Sequence, residues 1–402
     1  MADDSKLSSG PMGLPKLRVA LVGAAGKVAA PCHLNAWRSV RNHDLAAVCD
    51  VDRVAVNAIG DEWGIERRFT DYAELLSNPD IDAVDIVTPP FLHAEMTVAA
   101  ARAGKHVYVE KPMAQSIAEG QRMVSEAAAA DVTLMVGESY VFQNSLVRAR
   151  KLIDNGKIGP VRHVRQTKGP WVMRDEETRR LGGKGHFIPW RIDPRLSGGG
   201  PYPWLMDHGA HFFATARYLA GDESIDTVST LAVDAAGQYR EAGGEALQDA
   251  VVSVAWRYGD PNIDGAWTRV STPFAANELV GFRTEVYGEA GMIRVFGEGG
   301  GGSAGPVQPP AVELITARGR TAIELDEAAD RVWQSNVNYY DQSHANALQH
   351  FVDSSLDRSV PRYDGREGLK DLTATLAALK SAIDGRPIAL ADVADEWTAY
   401  GA

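Results

Sequence analysis

The chain has 402 residues, 45% of them hydrophobic and 23% charged, and a formal net charge of −12 at pH 7. That balance excludes wholesale disorder and collagen-like repetition, and the length predicts two or three domains. The negative surface disfavours non-specific binding to nucleic acid or anionic lipid, and two cysteines, Cys32 and Cys49, with no CxxC pair, exclude a disulfide framework and a cysteine-based zinc site.

Residues 1–15 are polar and interrupted by Gly and Pro, which predicts a flexible N-terminus without the apolar core of a signal peptide. No apolar stretch approaches the roughly 20 residues of a spanning helix, so a cytoplasmic location is expected. From residue 17, short apolar runs alternate with helical stretches: 17–23, 45–50, 83–88, 106–112 and 133–138 are dense in Val, Ile and Ala. Apolar residues at successive positions suit strands buried on both faces, hence a parallel sheet covered by helices. Between these runs, 94–104 and 119–130 carry apolar residues at helical spacing. The alternation predicts a doubly wound domain over 16–142.

After a further amphipathic helix over 145–156, the pattern changes to period two at 161–169, 251–258, 283–288, 291–297 and 311–317. Such alternation fits a half-buried antiparallel sheet. A helix over 211–221 precedes most of these strands, and helices over 344–357 and 367–384 close the chain. The fold class is therefore α/β: an N-terminal Rossmann sheet plus a C-terminal α+β domain over 143–402 with one large, mostly antiparallel sheet. The glycine-rich stretch 297–310 lacks strand-to-helix context and is expected to be a surface loop rather than a phosphate cradle.

The first strand runs into Gly23-Ala24-Ala25-Gly26-Lys27-Val28-Ala29 and a helix. Glycines at such a turn let the backbone approach a pyrophosphate resting on the helix N-terminus. Ala25 replaces the middle glycine of GxGxxG. Asp50, at the end of the second strand, can accept both ribose hydroxyls of an adenosine and would repel a 2′-phosphate, so NAD is expected rather than NADP. The alternative for Asp50 is a helix N-cap. Gly23, Ala25, Gly26, Lys27, Val28, Asp50 and Arg53 form this end of the expected cofactor site.

Thr88-Pro89-Pro90, His93 and Glu110-Lys111-Pro112, followed by Gly198-Gly199-Gly200 and Asp207-His208-Gly209-Ala210-His211, resemble the motifs of the Gfo/Idh/MocA oxidoreductases. The likeness runs from about residue 17 to 390 and takes in the strand pair at 286–295. It implies that Lys111 lies beside the nicotinamide and hydrogen-bonds the reacting hydroxyl. It further implies that His211 is the acid/base, that Asp207 orients substrate and histidine, and that Glu110 contacts the nicotinamide ribose. Thr88, Pro89, Pro90 and His93 would line the cofactor. The four-residue spacing of Asp207 and His211 puts both on one face if the segment is helical. The same pair could be half of a metal site, but no HExxH or His/Cys pairing supports one, and no metal is expected.

Three departures from the family pattern stand out: Ala25 in a longer turn, six residues between Gly200 and Asp207 where many relatives have three, and a long 170–197 segment. Residues 162–195 hold nine Lys and Arg against four acids, with Trp171, Trp190 and Trp204 in or beside them. Guanidinium forks match anionic oxygens and indole faces suit sugar rings. One or two of Arg174, Arg179, Arg180, Arg191 and Arg195 are therefore expected to bind an anionic or heavily hydroxylated group. An exposed basic loop paired with a partner subunit is the alternative. Trp171, Arg174, Trp190, Arg191 and His208 form the expected substrate set.

The function these residues imply is NAD-dependent oxidation of a secondary hydroxyl of a sugar, sugar derivative or cyclitol, in a homodimer or homotetramer. A redox-assisted glycosidase, which oxidises, eliminates and re-reduces without net NADH, is the alternative. A redox-silent sensor is the third.

Overall fold

The computed structural model describes residues 16–26, 29–168, 190, 193–233, 251–270, 283–296, 311–325 and 339–401. Six strands, β1 (Leu17–Val22), β2 (His43–Cys49), β3 (Arg67–Phe69), β4 (Ala83–Ile86), β5 (His106–Glu110) and β6 (Leu134–Gly137), form a sheet in the order β3-β2-β1-β4-β5-β6. Every neighbouring pair is parallel. The uninterrupted apolar runs are buried on both faces, as in β4, where all four residues are buried. The helices α1 (Ala29–Trp37), α2 (Arg53–Trp63), α3 (Tyr72–Ser77), α4 (His93–Arg102) and α5 (Ile117–Ala129) connect the strands. The start of α2 is set by Asp52, whose carboxylate accepts from the amides of Val54 and Ala55. Ser116 caps α5 in the same way, through the Glu119 amide.

The carboxyl ends of β1, β2, β4 and β5 converge where the strand order reverses beside β1, which is where open α/β sheets bind ligands. The expected runs extend past the strands here: β4 ends at Ile86 and β5 at Glu110, and the residues beyond them turn into the site.

The remaining elements are α6 (Asn144–Asp154), β7 (Val161–Lys168), α7 (Pro194–Ser197), α8 (Pro203–Ala220), β8 (Ile225–Val233), β9 (Val251–Tyr258), β10 (Asp264–Val270), β11 (Arg283–Gly288), β12 (Gly291–Phe296), β13 (Val312–Thr316), β14 (Gly319–Ile323), α9 (Tyr339–Asp357), α10 (Gly365–Asp384) and β15 (Ile388–Ala389). The nine strands pair in the order β14-β13-β12-β11-β7-β10-β9-β8-β15, and only β7 with β10 is parallel. Alternation sends Val252, Val254, Trp256 and Tyr258 of β9 into the core. There Phe212 of α8 stacks on Trp267 at 4.2 Å and Phe213 meets Trp256 edge-on at 5.3 Å. Such aromatic pairs add about 0.5–1.5 kcal/mol each beyond their buried area.

The last two helices return to the first sheet. Phe351 of α9 packs edge-on against Tyr108 of β5 at 5.6 Å, and Asn346 donates to the Phe142 carbonyl at 3.0 Å. Among the described residues no helix is long and apolar enough to cross a membrane. The 297–310 stretch lies outside the described residues.

Candidate active site

Gly23 ends β1 with φ +86°, and a Cβ there would sit 2.9 Å from Thr88 Cγ2, so only glycine permits this turn to meet the end of β4. Asp50 does not cap α2; Asp52 does. Its two carboxylate oxygens instead accept the Ala25 amide at 2.9 Å and the Asp52 amide at 3.0 Å, tying the nucleotide turn to β2. Arg53 is exposed and donates to Thr70 Oγ1. Pro89 and Pro90 lead into α4. His93 at the start of that helix is buried and spans two backbone carbonyls, Nδ1 2.8 Å from Pro112 O and Nε2 2.7 Å from Thr88 O. It thereby pins the ends of β4 and β5 together. Lys27 and Val28 lie outside the described residues.

At the end of β5, Glu110 is buried and accepts from His33 Nε2 at 2.9 Å. Nδ1 of His33 lies 2.9 and 3.0 Å from the two oxygens of Asp85, which also accepts from Trp37 Nε1. Burial pulls the His33 pKa down, but Asp85 and Glu110 outweigh it and raise the value to about 10. His33 is thus an imidazolium between two carboxylates. Burial pushes Glu110 up; the His33 contact prevails and holds it below the usual range. Among the described residues one group, His33, Glu110 and His344, brings possible metal-ligand atoms within 4.8 Å of one another. With both nitrogens donating to carboxylates, His33 offers no lone pair to a cation.

The adjacent Lys111 reaches across to the second sheet's layer, where Nζ donates to Asp207 Oδ1 at 3.1 Å and to the Asp207 carbonyl at 3.2 Å. Both side chains are nearly buried, 13% and 12% exposed. Asp207 and His211 lie on α8, one turn apart. His208 is buried on the same helix, with Nε2 3.6 Å from Asp207 Oδ2 and its ring stacked near Trp204 at 5.9 Å. Three groups on two chain segments therefore meet: Lys111 from the end of β5 in the first sheet, Asp207 and His211 from α8.

The sequence did not point to Glu138. It follows β6, is fully buried, and faces His211, whose Nδ1 is 2.9 and 2.7 Å from its two oxygens. The Tyr140 ring lies flat on the imidazole, 3.9 Å away and 8° from parallel. Burial pushes the Glu138 pKa up to about 8, only partly offset by the Tyr140 amide and Lys111. Burial, then Lys111 and Lys168, pull His211 well below its ordinary value. The signal available was the one used for Asp50, an acid at the carboxyl end of a parallel strand. Lys168, counted among the nine cations, is buried at the end of β7 with its ammonium 5.7 Å from the Tyr140 ring.

Of the other cations, Arg162 and Arg165 pair with Glu289 and Glu285, and Arg195 is exposed. Trp190 is half-buried. Trp171, Arg174, Arg179, Arg180 and Arg191 lie outside the described residues. Gln115 donates to the carbonyls of Arg195 and Leu196 at 2.8 and 3.0 Å, anchoring α7 beside the β5 end.

Residues 17–138 match the profile of an oxidoreductase family with an NAD-binding Rossmann fold, and residues 146–294 match the GFO/IDH/MocA C-terminal domain. The chain belongs to the Gfo/Idh/MocA oxidoreductases. Within this family it is 26% identical over 377 residues to a myo-inositol 2-dehydrogenase of Thermotoga maritima, covering 94% of this chain and 99% of that protein. An inositol 2-dehydrogenase of Rhizobium meliloti is 28% identical over 381 residues, 93% and 99% of the two chains. The crystal structure of an aldose-aldose oxidoreductase from Caulobacter crescentus complexed with glycerol superposes with a TM-score of 0.71 at 26% identity, covering 93% of this chain and 99% of that one.

Proposed function

We propose that this Gfo/Idh/MocA protein is an NAD-dependent dehydrogenase of a secondary hydroxyl on a sugar, sugar derivative or cyclitol. The observation that carries the reading is the Lys111–Asp207 contact at 3.1 Å, with His211 one turn along α8, at the carboxyl end of the Rossmann sheet. The names of the relatives, inositol dehydrogenases among them, support the substrate class.

The chain's own residues fit the cofactor. Gly23 leaves room that any Cβ would fill, and Asp50 presents a carboxylate at the end of β2. The apolar side chains of Val51 and Val54 stand 91% and 80% exposed beside it, where an adenine face would cover them. When bound, oxidised NAD supplies the hydride acceptor. Glu110, fixed by His33, would hold the nicotinamide ribose. Lys111 would donate to the substrate oxygen, Asp207 would orient Lys111 and a neighbouring hydroxyl, and His211 would exchange the hydroxyl proton. A positioned acid/base of this kind contributes roughly 10²–10⁴-fold.

The test is absorbance at 340 nm on adding NAD and a panel of neutral and anionic sugars, cyclitols and their aryl glycosides, with aryl release followed in parallel. NADH growing in proportion to substrate is expected. Aryl release with a flat 340 nm trace would replace the dehydrogenase with a redox-assisted glycosidase, and silence in both would point to a ligand sensor.

A further inference from the structure

His211 is not the end of the proton path. Its hydrogen bonds among the described residues are all made through Nδ1, and both go to one carboxylate. Nε2, at the opposite side of the ring, is the atom left to face a substrate. The ring cannot swing to offer Nδ1 instead, because Tyr140 lies flat against it and Glu138 grips its other edge. Glu138 and Tyr140 both belong to the short turn after β6, and the Tyr140 amide donates to Glu138 Oε1 at 3.0 Å. The carboxylate is thereby fixed as well.

We propose that Glu138 and His211 form a proton-relay pair, in which His211 Nε2 takes the substrate's hydroxyl proton while the proton on Nδ1 passes to the Glu138 carboxylate. The substrate O–H bond breaks as the Nε2–H bond forms, and the Nδ1–H bond breaks as the Glu138 O–H bond forms. The imidazole is neutral before and after, one proton has moved from alcohol to carboxylate, and the relay consumes no oxidant. In reduction the same bonds change in reverse. Glu138 acts only through His211 and is a positioning and relay residue. The inference rests on the dehydrogenase reading above and adds to it the final proton acceptor.

The surroundings decide between this relay and a simple ion pair. An ion pair would keep the carboxylate charged and make His211 an imidazolium, both in a site where Glu138 is 0% and His211 10% exposed. Taking two charges out of water carries a penalty that their attraction repays only when further hydrogen bonds satisfy both. Here Lys111 from the end of β5, Lys168 from β7 and His344 from α9 oppose a cation on His211, against Asp207 alone on its own helix. Asp371 from α10 and Glu110 from β5 oppose an anion on Glu138, against Lys111. Both members are pushed toward their neutral forms.

Nitrogen-15 NMR of labelled histidine, with His211→Asn used for assignment, reads the pair without turnover. In the wild-type protein the His211 ring should stay neutral and change tautomer near pH 8. Above that pH the proton should sit on Nδ1 and Nε2 should be bare; below it, Nε2 should carry the proton. Glu138→Gln keeps the acceptor for Nδ1–H but cannot take the proton, and should hold the Nδ1–H tautomer throughout. In the dehydrogenase assay Glu138→Gln should lower kcat by about 100-fold with KM for both substrates within about 3-fold, and Glu138→Asp should recover part of the loss. A ring that becomes imidazolium on acidification, or keeps one tautomer from pH 6 to 10 in the wild type, overturns the relay. So does a Glu138→Gln enzyme with unchanged kcat and pH profile. If no substrate yields NADH, the dehydrogenase reading fails, and the tautomer change still decides whether the pair passes a proton.

Discussion

Asp50 shows how one side chain serves both fold and ligand. It accepts two backbone amides from its own crevice, and the cofactor reading asks it to accept ribose hydroxyls too. A charged hydrogen bond lost at such a site costs about 1.5–3 kcal/mol. Asp50→Ala should therefore raise KM for NAD by about 10-fold or more, narrow the preference for NAD over NADP, and leave kcat nearly unchanged, as initial rates with each cofactor would report. His33 carries a different load. Removing it takes away the cation that lies between the buried carboxylates of Asp85 and Glu110, so His33→Gln should cost about 3–5 kcal/mol in urea unfolding. Its pH signature has a definite sign. The folded pKa of about 10 lies above the ordinary 6.5, so the stabilisation is complete below pH 6.5 and is lost as pH rises through about 10. Unfolding free energy should fall across that window by a few kcal/mol in the wild type, and this component should be missing in His33→Gln. Two of the strand-end acids were legible, Asp50 from its place at the end of an apolar run and Glu110 from the Glu110-Lys111-Pro112 motif; Glu138 was not. The partners of those acids were not, because His33 lies 77 residues from Glu110 and Glu138 lies 73 from His211. Only the order in which the strands assemble brings them together.

At the scale of elements, the middle of α8 shows why a glycine separates Asp207 from His211. A Cβ on Gly209 would lie 2.4 Å from Thr375 Cγ2, so the α8 backbone packs directly against the Thr375 side chain of α10. Beside this contact, Arg217 donates to Asp371 at 3.0 Å and to Glu367 at 2.5 Å. On an exposed helix, Gly to Ala would stabilise by about 1 kcal/mol. Here Gly209→Ala should destabilise by about 1–3 kcal/mol through overpacking, seen as a lower melting temperature, and should reduce kcat by displacing His211. Thr375→Ala should relieve part of both effects, a coupling that a double-mutant cycle measures. The sequence placed this helix only over 211–221, whereas it begins at Pro203. Two prolines in PYPWLM look like loop chemistry. Pro203 in fact sits in the first turn, where its missing N–H costs nothing. Other elements escaped for similar local reasons. β3 has three residues and β15 two, too few to show a period, and β14 is mostly exposed, so its sequence GRTAI carries no buried face to read.

For the whole molecule, the order of elements along the chain differs from the order in which they are packed. The first sheet is complete by residue 137, yet α9, some two hundred residues later, covers part of it. His344 meets the His33 ring at 5.2 Å, Phe351 covers Tyr108, and Gln349 accepts from the Arg41 amide at 2.8 Å. Without α9 the buried charges of His33, Asp85 and Glu110 would lose one wall, and the polar groups there would be exposed to water. The α10 helix ties the other way, its Gly368 against Val136 of β6 and its Ser381 accepting from the Thr230 amide of β8 at 2.9 Å. Two sheets clasped by the same two helices share their stability, in contrast to domains joined only by a linker. The protein should therefore unfold in one transition: near-ultraviolet circular dichroism, reporting Trp256 and Trp267 with Trp37, and far-ultraviolet circular dichroism should give coincident melting curves. NAD bound at 100 times its Kd should shift both together, by about 2.7 kcal/mol of added stability. Two separated transitions, with NAD moving only one, would mean that the clasp is weaker than its contacts imply. Because Lys111 and Asp207 come from opposite sides of it, such a protein would lose its active-site geometry before it lost either sheet.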